Sequence, residues 1–116
     1  MHYKDLIVWQ KSIELARIVY ELTEKFPKQE QFGLMSQMRR AAVSIPSNIA
    51  EGSRRATKKD YRHFLFNAFG SGAELETQLV LAESLKFAVQ SDFVSANKIL
   101  DEVMRMLNKL IQELVE

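Results

Sequence analysis

Apolar residues along this chain recur at helical rather than alternating spacing, in four stretches separated by three short breaks. The first stretch runs from about Leu6 to Phe26, with Asp5 placed to cap its start. Leu6, Trp9, Ile13, Ala16 and Tyr20 share one face and predict its inward side; a second stripe, Leu15, Val19, Leu22 and Phe26, widens it. Pro27-Lys28-Gln29 ends the pattern, because a proline pushes the residue before it out of the α region. The second stretch spans about Glu30 to Gly52 and turns Leu34, Met38, Ala41, Ile45 and Ile49 inward. Pro46 lies inside it, removes the bond to the Ala42 carbonyl and predicts a kink.

The third stretch carries the clearest start signal. Thr57-Lys58-Lys59-Asp60 reads as a capping box, and Tyr61, Leu65, Ala68, Gly72, Leu75, Leu79 and Ala82 then alternate four- and three-residue steps. Such a heptad-like stripe predicts near-antiparallel packing at about 20°. The fourth begins near Ser91-Asp92 and presents Phe93, Ala96, Leu100, Val103, Leu107, Leu110 and Leu114. Short connections between amphipathic helices predict an all-α, antiparallel up-down-up-down four-helix bundle, one domain over residues 1–116.

The third helix has apolar residues left over. Phe66, Phe69, Ala73 and Val80 lie roughly 100° round from its core stripe. They belong either to a wide core or to a subunit interface, and a contiguous exposed patch of this kind points to a homo-oligomer.

Composition narrows the chemistry. The 116 residues include no cysteine, which removes disulfides, thiolate nucleophiles and Cys-type zinc sites. No basic-then-apolar leader opens the sequence, and the most apolar run, residues 64–73, is half of what a membrane span needs, so the expectation is a cytoplasmic protein with no membrane role. The two histidines, His2 and His63, form no helical metal-ligand pair, and no cofactor or metal is expected. Gly70-Ser71-Gly72 sits inside a periodic helix, lacks the strand context of a phosphate loop, and suits close helix–helix approach better. His63 has no evident orienting partner, and Ala56, Thr57 and Lys58 stand where helical-bundle ribonucleases carry an arginine, so no catalytic residue and no enzyme is expected.

A formal net charge of +1 conceals a strong polarity. Residues 1–38 balance at five basic and five acidic; residues 39–65 hold seven basic against two acidic, or +5; residues 66–116 hold four against eight, or −4. The basic block comprises Arg39, Arg40, Arg54, Arg55, Lys58, Lys59 and Arg62. Arginines at a helix C-terminus complement its dipole, whereas Lys58 and Lys59 fall in the first turn of the third helix, where cations are disfavoured. That placement suits an anionic partner such as RNA or DNA, the other reading being a solvated rim partly paired with Glu51 and Asp60. Ser44, Asn48 and Glu51 share one face of the second helix, and Ser71, Glu74 and Gln78 one face of the third. If the two faces meet they form a hydrogen-bonded layer that fixes register, the other reading being a ligand-contacting or pore-lining site.

Gln37-Met38-Arg39-Arg40-Ala41-Ala42-Val43-Ser44-Ile45-Pro46-Ser47-Asn48-Ile49-Ala50-Glu51-Gly52 resembles the signature of the four-helix-bundle family named for 23S rRNA intervening sequences. The likeness extends to Ala68-Phe69-Gly70-Ser71, Glu74-Leu75-Glu76, Leu6, Trp9, Phe26-Pro27 and Phe32-Gly33-Leu34, essentially the whole chain. The resemblance implies an antiparallel bundle assembled as a homopentameric ring, akin to the accessory variability proteins of diversity-generating retroelements. Those look like nucleic-acid-binding partners of a reverse transcriptase. Two functions are therefore expected: a homo-oligomeric nucleic-acid-binding protein, or a scaffold for a partner enzyme with no direct nucleic-acid role.

Overall fold

Four helices, α1 (Ile7–Thr23), α2 (Leu34–Ser53), α3 (Lys58–Ser84) and α4 (Val94–Glu113), make up the computed structural model, which describes residues 2–115. They alternate in direction, each packs against its neighbours in sequence, and α4 closes the bundle against α1. Among the described residues there is no strand, and no helix is long and apolar enough to cross a membrane. The bundle measures 45 × 24 × 21 Å.

The heptad stripe of α3 folds as its spacing dictates. Leu65, Ala68, Gly72, Leu75, Leu79 and Ala82 are buried and Tyr61 is half-buried. Thr57 caps the helix, its Oγ1 accepting from the Asp60 N–H at 3.1 Å. Met38, Ala41, Ala42, Ile45 and Ile49 bury the inner face of α2, with Leu34 half-buried. Pro46 is itself buried and α2 continues helically past it to Ser53. Beside it, Ser47 Oγ donates to the Val43 carbonyl at 2.9 Å. On α4, Ala96, Leu100, Val103 and Leu107 are buried with Ile99 and Ile111, as is Phe93 just before it, while Leu110 and the C-cap Leu114 are only half-buried.

Helix α1 corrects the expected inward face in part: Leu6, Trp9 and Ala16 are half-buried against the core, but the second stripe lies deepest. Its core face is Val8, Ser12, Leu15, Val19 and Leu22, continued by Phe26, whereas Ile13 and Tyr20 are 44% and 45% exposed. The two apolar stripes compete, and the one with more branched aliphatic surface turns inward. Two polar residues are carried with it because their hydroxyls are satisfied locally. Ser12 donates to the Trp9 carbonyl at 2.7 Å and Thr23 to the Val19 carbonyl at 2.8 Å. The helix also begins later than expected. Leu6, not Asp5, is its N-cap and makes no side-chain capping bond, and a 3-10 turn over Tyr3–Asp5 precedes it. It stops at Thr23, and α2 starts at Leu34 rather than Glu30. Glu30 forms part of a 3-10 turn and lends Oε1 to the Leu34 N–H at 3.1 Å.

Two glycines set how closely helices approach. A Cβ at Gly52 would lie 2.7 Å from Phe64 Cβ, and one at Gly72 would lie 2.2 Å from the Met104 sulfur. The first lets α2 meet the start of α3, and the second lets α4 lie against bare α3 backbone. At the end of the bundle holding the α1–α2 and α3–α4 connections, Phe26 packs against Phe87 and Phe93, and Lys25 pairs with Asp92 at 2.8 Å.

Candidate nucleic-acid interface

The other end of the bundle gathers the N-terminal 3-10 turn, the α2–α3 connection, the first turns of α3 and the C-terminus of α4. Of the seven basic residues picked out from sequence, Arg54, Arg55, Lys58, Lys59 and Arg62 lie here. Arg54 closes α2, its guanidinium 5.4 Å from the Tyr3 ring centre and its Nη2 3.2 Å from His2 Nε2. Arg55 lies 4.5 Å over the Phe64 ring and pairs with Glu51 at 3.2 Å. Arg62 is half-buried: its Nε donates to the Ile111 carbonyl at 3.1 Å, tying down the last turn of α4, and its guanidinium sits 5.5 Å from the Phe66 ring. Lys58 and Lys59 are exposed, and among the described residues neither is in an ion pair. They stand at the positive end of the α3 dipole with their ammonium groups free for an external anion.

Arg39 and Arg40 do not join this group. They lie about 20 Å away along α2, toward the opposite end, at 1.5 Å of rise per residue. Arg39 is already engaged: Nε donates to Thr23 Oγ1 at 2.8 Å, Nη2 to the Tyr20 carbonyl at 3.2 Å, and Nη2 pairs with Glu24 at 3.0 Å. It caps the C-terminus of α1 while lying 4.5 Å over the Tyr20 ring, which explains why Tyr20 stays outside the core. Arg40 is exposed beside it.

His2 and Tyr3 belong to the basic end but were not singled out from sequence. The signal was available, since an up-down-up-down order brings the chain's start beside the α2–α3 turn. His63 is exposed and meets Phe64 edge-on, with ring centres 5.8 Å apart. Among the described residues no three His, Asp or Glu side chains group closely enough to hold a metal ion.

The polar faces of α2 and α3 meet in part. Ser71 Oγ donates to Ser44 Oγ across the helices at 3.0 Å, and Asn48 Nδ2 donates to Ser44 Oγ at 2.9 Å and to its carbonyl at 2.8 Å. Glu51 is turned to Arg55, and Glu74 is exposed and accepts from Gln78 Nε2 at 3.4 Å, so neither acid joins the serine–asparagine bridge. Gln78 is buried, and its Oε1 has no hydrogen-bond partner among the described residues. On the second apolar face of α3, Phe66 and Val80 are 52% and 66% exposed and Ala73 is exposed, while Phe69 is half-buried against the core. Gly70, on the same outer side, has open space where a Cβ would stand, so close approach within the chain accounts for Gly72 and not for Gly70.

A protein of unknown function from the S23 ribosomal protein family of Bacteroides thetaiotaomicron has a similar structure, with a TM-score of 0.83 and 26% sequence identity over 97% of this chain and 99% of that one. The curated proteins provide no match. Residues 4–109 match the family described as 23S rRNA-intervening sequence protein, with the Ser44–Gly52 signature on α2 and Gly70-Ser71 on α3 inside that span. The chain belongs to the 23S rRNA-intervening sequence protein family.

Proposed function

We propose that this protein is a non-enzymatic, cytoplasmic nucleic-acid-binding protein that grips the sugar-phosphate backbone with the basic end of the bundle. The observation that carries the reading is the pair Lys58 and Lys59, exposed and, among the described residues, outside any ion pair at the helix end where cations are least stable. Arg54 and Arg55 flank them, and Arg62, already bonded to the α4 C-terminus, adds charge more than reach. Arg39 and Arg40 are at most a distant second contact. Backbone contacts of this kind bind with little sequence preference and weaken with salt.

The protein acts as a homo-oligomer, with Phe66, Ala73 and Val80 in the contact between copies and the ring a pentamer, as the family resemblance implies. Repetition of the basic end around such a ring multiplies its avidity. The test compares Lys58→Gln/Lys59→Gln with Lys86→Gln/Lys98→Gln, which removes equal charge elsewhere. The first pair is expected to weaken RNA or DNA binding by roughly tenfold or more and the second by far less. Equal effects of the two pairs would show that only net charge matters. Wild-type protein that retains a protein partner and no nucleic acid at moderate salt would instead support a scaffold for a partner enzyme such as a reverse transcriptase.

A further inference from the structure

We infer that the nucleic acid taken by the basic end is single-stranded, with a phosphate held where His2 and Arg54 converge and a base stacked on the open face of Arg55. This rests on the nucleic-acid reading above and narrows it. The first observation concerns hydrogen-bond donors. His2 Nδ1 accepts from the Lys4 N–H at 3.2 Å, which holds the ring in place at the start of the chain. The ring's Nε2 stands 3.2 Å from Arg54 Nη2. The two side chains converge at the exposed basic end, where a phosphodiester oxygen can accept from the remaining N–H groups of Arg54 and carries the matching charge.

The second observation is planar surface. His2 stacks on Tyr3 with ring centres 4.6 Å apart and planes 28° from parallel, and Arg54 packs against the same ring. Arg55 is backed by Phe64 at 4.5 Å, with its side chain 43% exposed. A guanidinium seated over a ring, with its side chain still partly exposed, offers a platform for an unpaired base. Bases inside a duplex are stacked already and offer no such face. The connection that carries Arg54 and Arg55 is a short turn between packed helices, so no free helix is available to enter a major groove.

The experiment is fluorescence anisotropy with the full chain, using a mixed-sequence RNA of about twelve nucleotides and the blunt duplex of the same length at about 0.15 M salt. Wild-type protein is expected to bind the single strand roughly tenfold or more tightly than the duplex. Arg54→Lys/Arg55→Lys keeps the charge and removes both planes. It should lose roughly tenfold on the single strand and less than about twofold on the duplex, with an unchanged melting curve confirming the fold. Duplex binding equal to or tighter than single-strand binding would overturn this inference while leaving the nucleic-acid reading intact, as would a double lysine variant indistinguishable from wild type. Binding of neither form, or of an acidic peptide alone, would overturn both.

Discussion

Four residues test how backbone geometry is matched to side chains. Lys86 adopts a left-handed conformation, with φ of 59°, where α3 ends. The Phe87 N–H returns to the Ala82 carbonyl at 3.1 Å and the Lys86 N–H to the Glu83 carbonyl at 3.0 Å, the two bonds of a Schellman ending that glycine favours. Lys86→Gly is therefore expected to raise stability by roughly 0.5–1 kcal/mol, read as a higher Tm. Glycine-to-alanine changes inside the helices should split three ways. Gly52→Ala drives a methyl against Phe64 Cβ and the Tyr61 carbonyl and should cost about 1–3 kcal/mol. Gly72→Ala should cost less, because the Met104 thioether can swing aside. Gly70→Ala meets open space and should stabilise the folded chain by about 0.5–1 kcal/mol. Chemical denaturation of the three variants checks the order for the single chain, and a destabilising Gly70→Ala would put the neighbouring copy of the proposed oligomer against that face.

At the scale of elements, the pairing of α1 with α4 carries an ionic link whose contribution varies with pH. Lys11 and Glu102 approach to 2.9 Å; the hydrogen bond and charge of Lys11 hold Glu102 below its ordinary value of 4.5, and the same contact raises Lys11 above 10.5. A lowered carboxylate contributes fully above its unfolded value and loses that contribution as pH falls through the folded one; a raised lysine contributes fully below its unfolded value and fades as pH rises through the folded one. The Tm gap between wild type and Glu102→Gln should therefore be steady at neutral pH and shrink below about pH 4.5. A gap independent of pH down to 3 would contradict this role for the pair. The same scale shows what was readable in advance. The α3 stripe was legible because a single seven-residue pattern ran unopposed from Tyr61 to Ala82. Which α1 stripe lies deepest was not, because both are apolar; the more branched one packs inward and Tyr20 is left outside beneath Arg39. The start of α2 was misplaced because Glu30 serves that helix through its side chain from outside it.

For the whole molecule, function follows from which ends the topology brings together. The basic block could be read from sequence as a run of charge, and its lysines as out of place at a helix N-terminus. Separating Arg39 and Arg40 from it needed the length of α2, and adding His2 and Tyr3 needed the alignment of the chain's start with the α2–α3 turn. The result is a bundle with cations and rings at one end and a closed aromatic cluster, Phe26, Phe87 and Phe93, at the other.

The most direct measurement of the central claim is the salt dependence of nucleic-acid binding by wild type and by Lys58→Gln/Lys59→Gln. Each phosphate contact on a single strand contributes about 0.7 to the slope of log K against log salt, so the double variant should be shallower by roughly 1.4. Parallel slopes for the two proteins would contradict the claim that these lysines hold the phosphates.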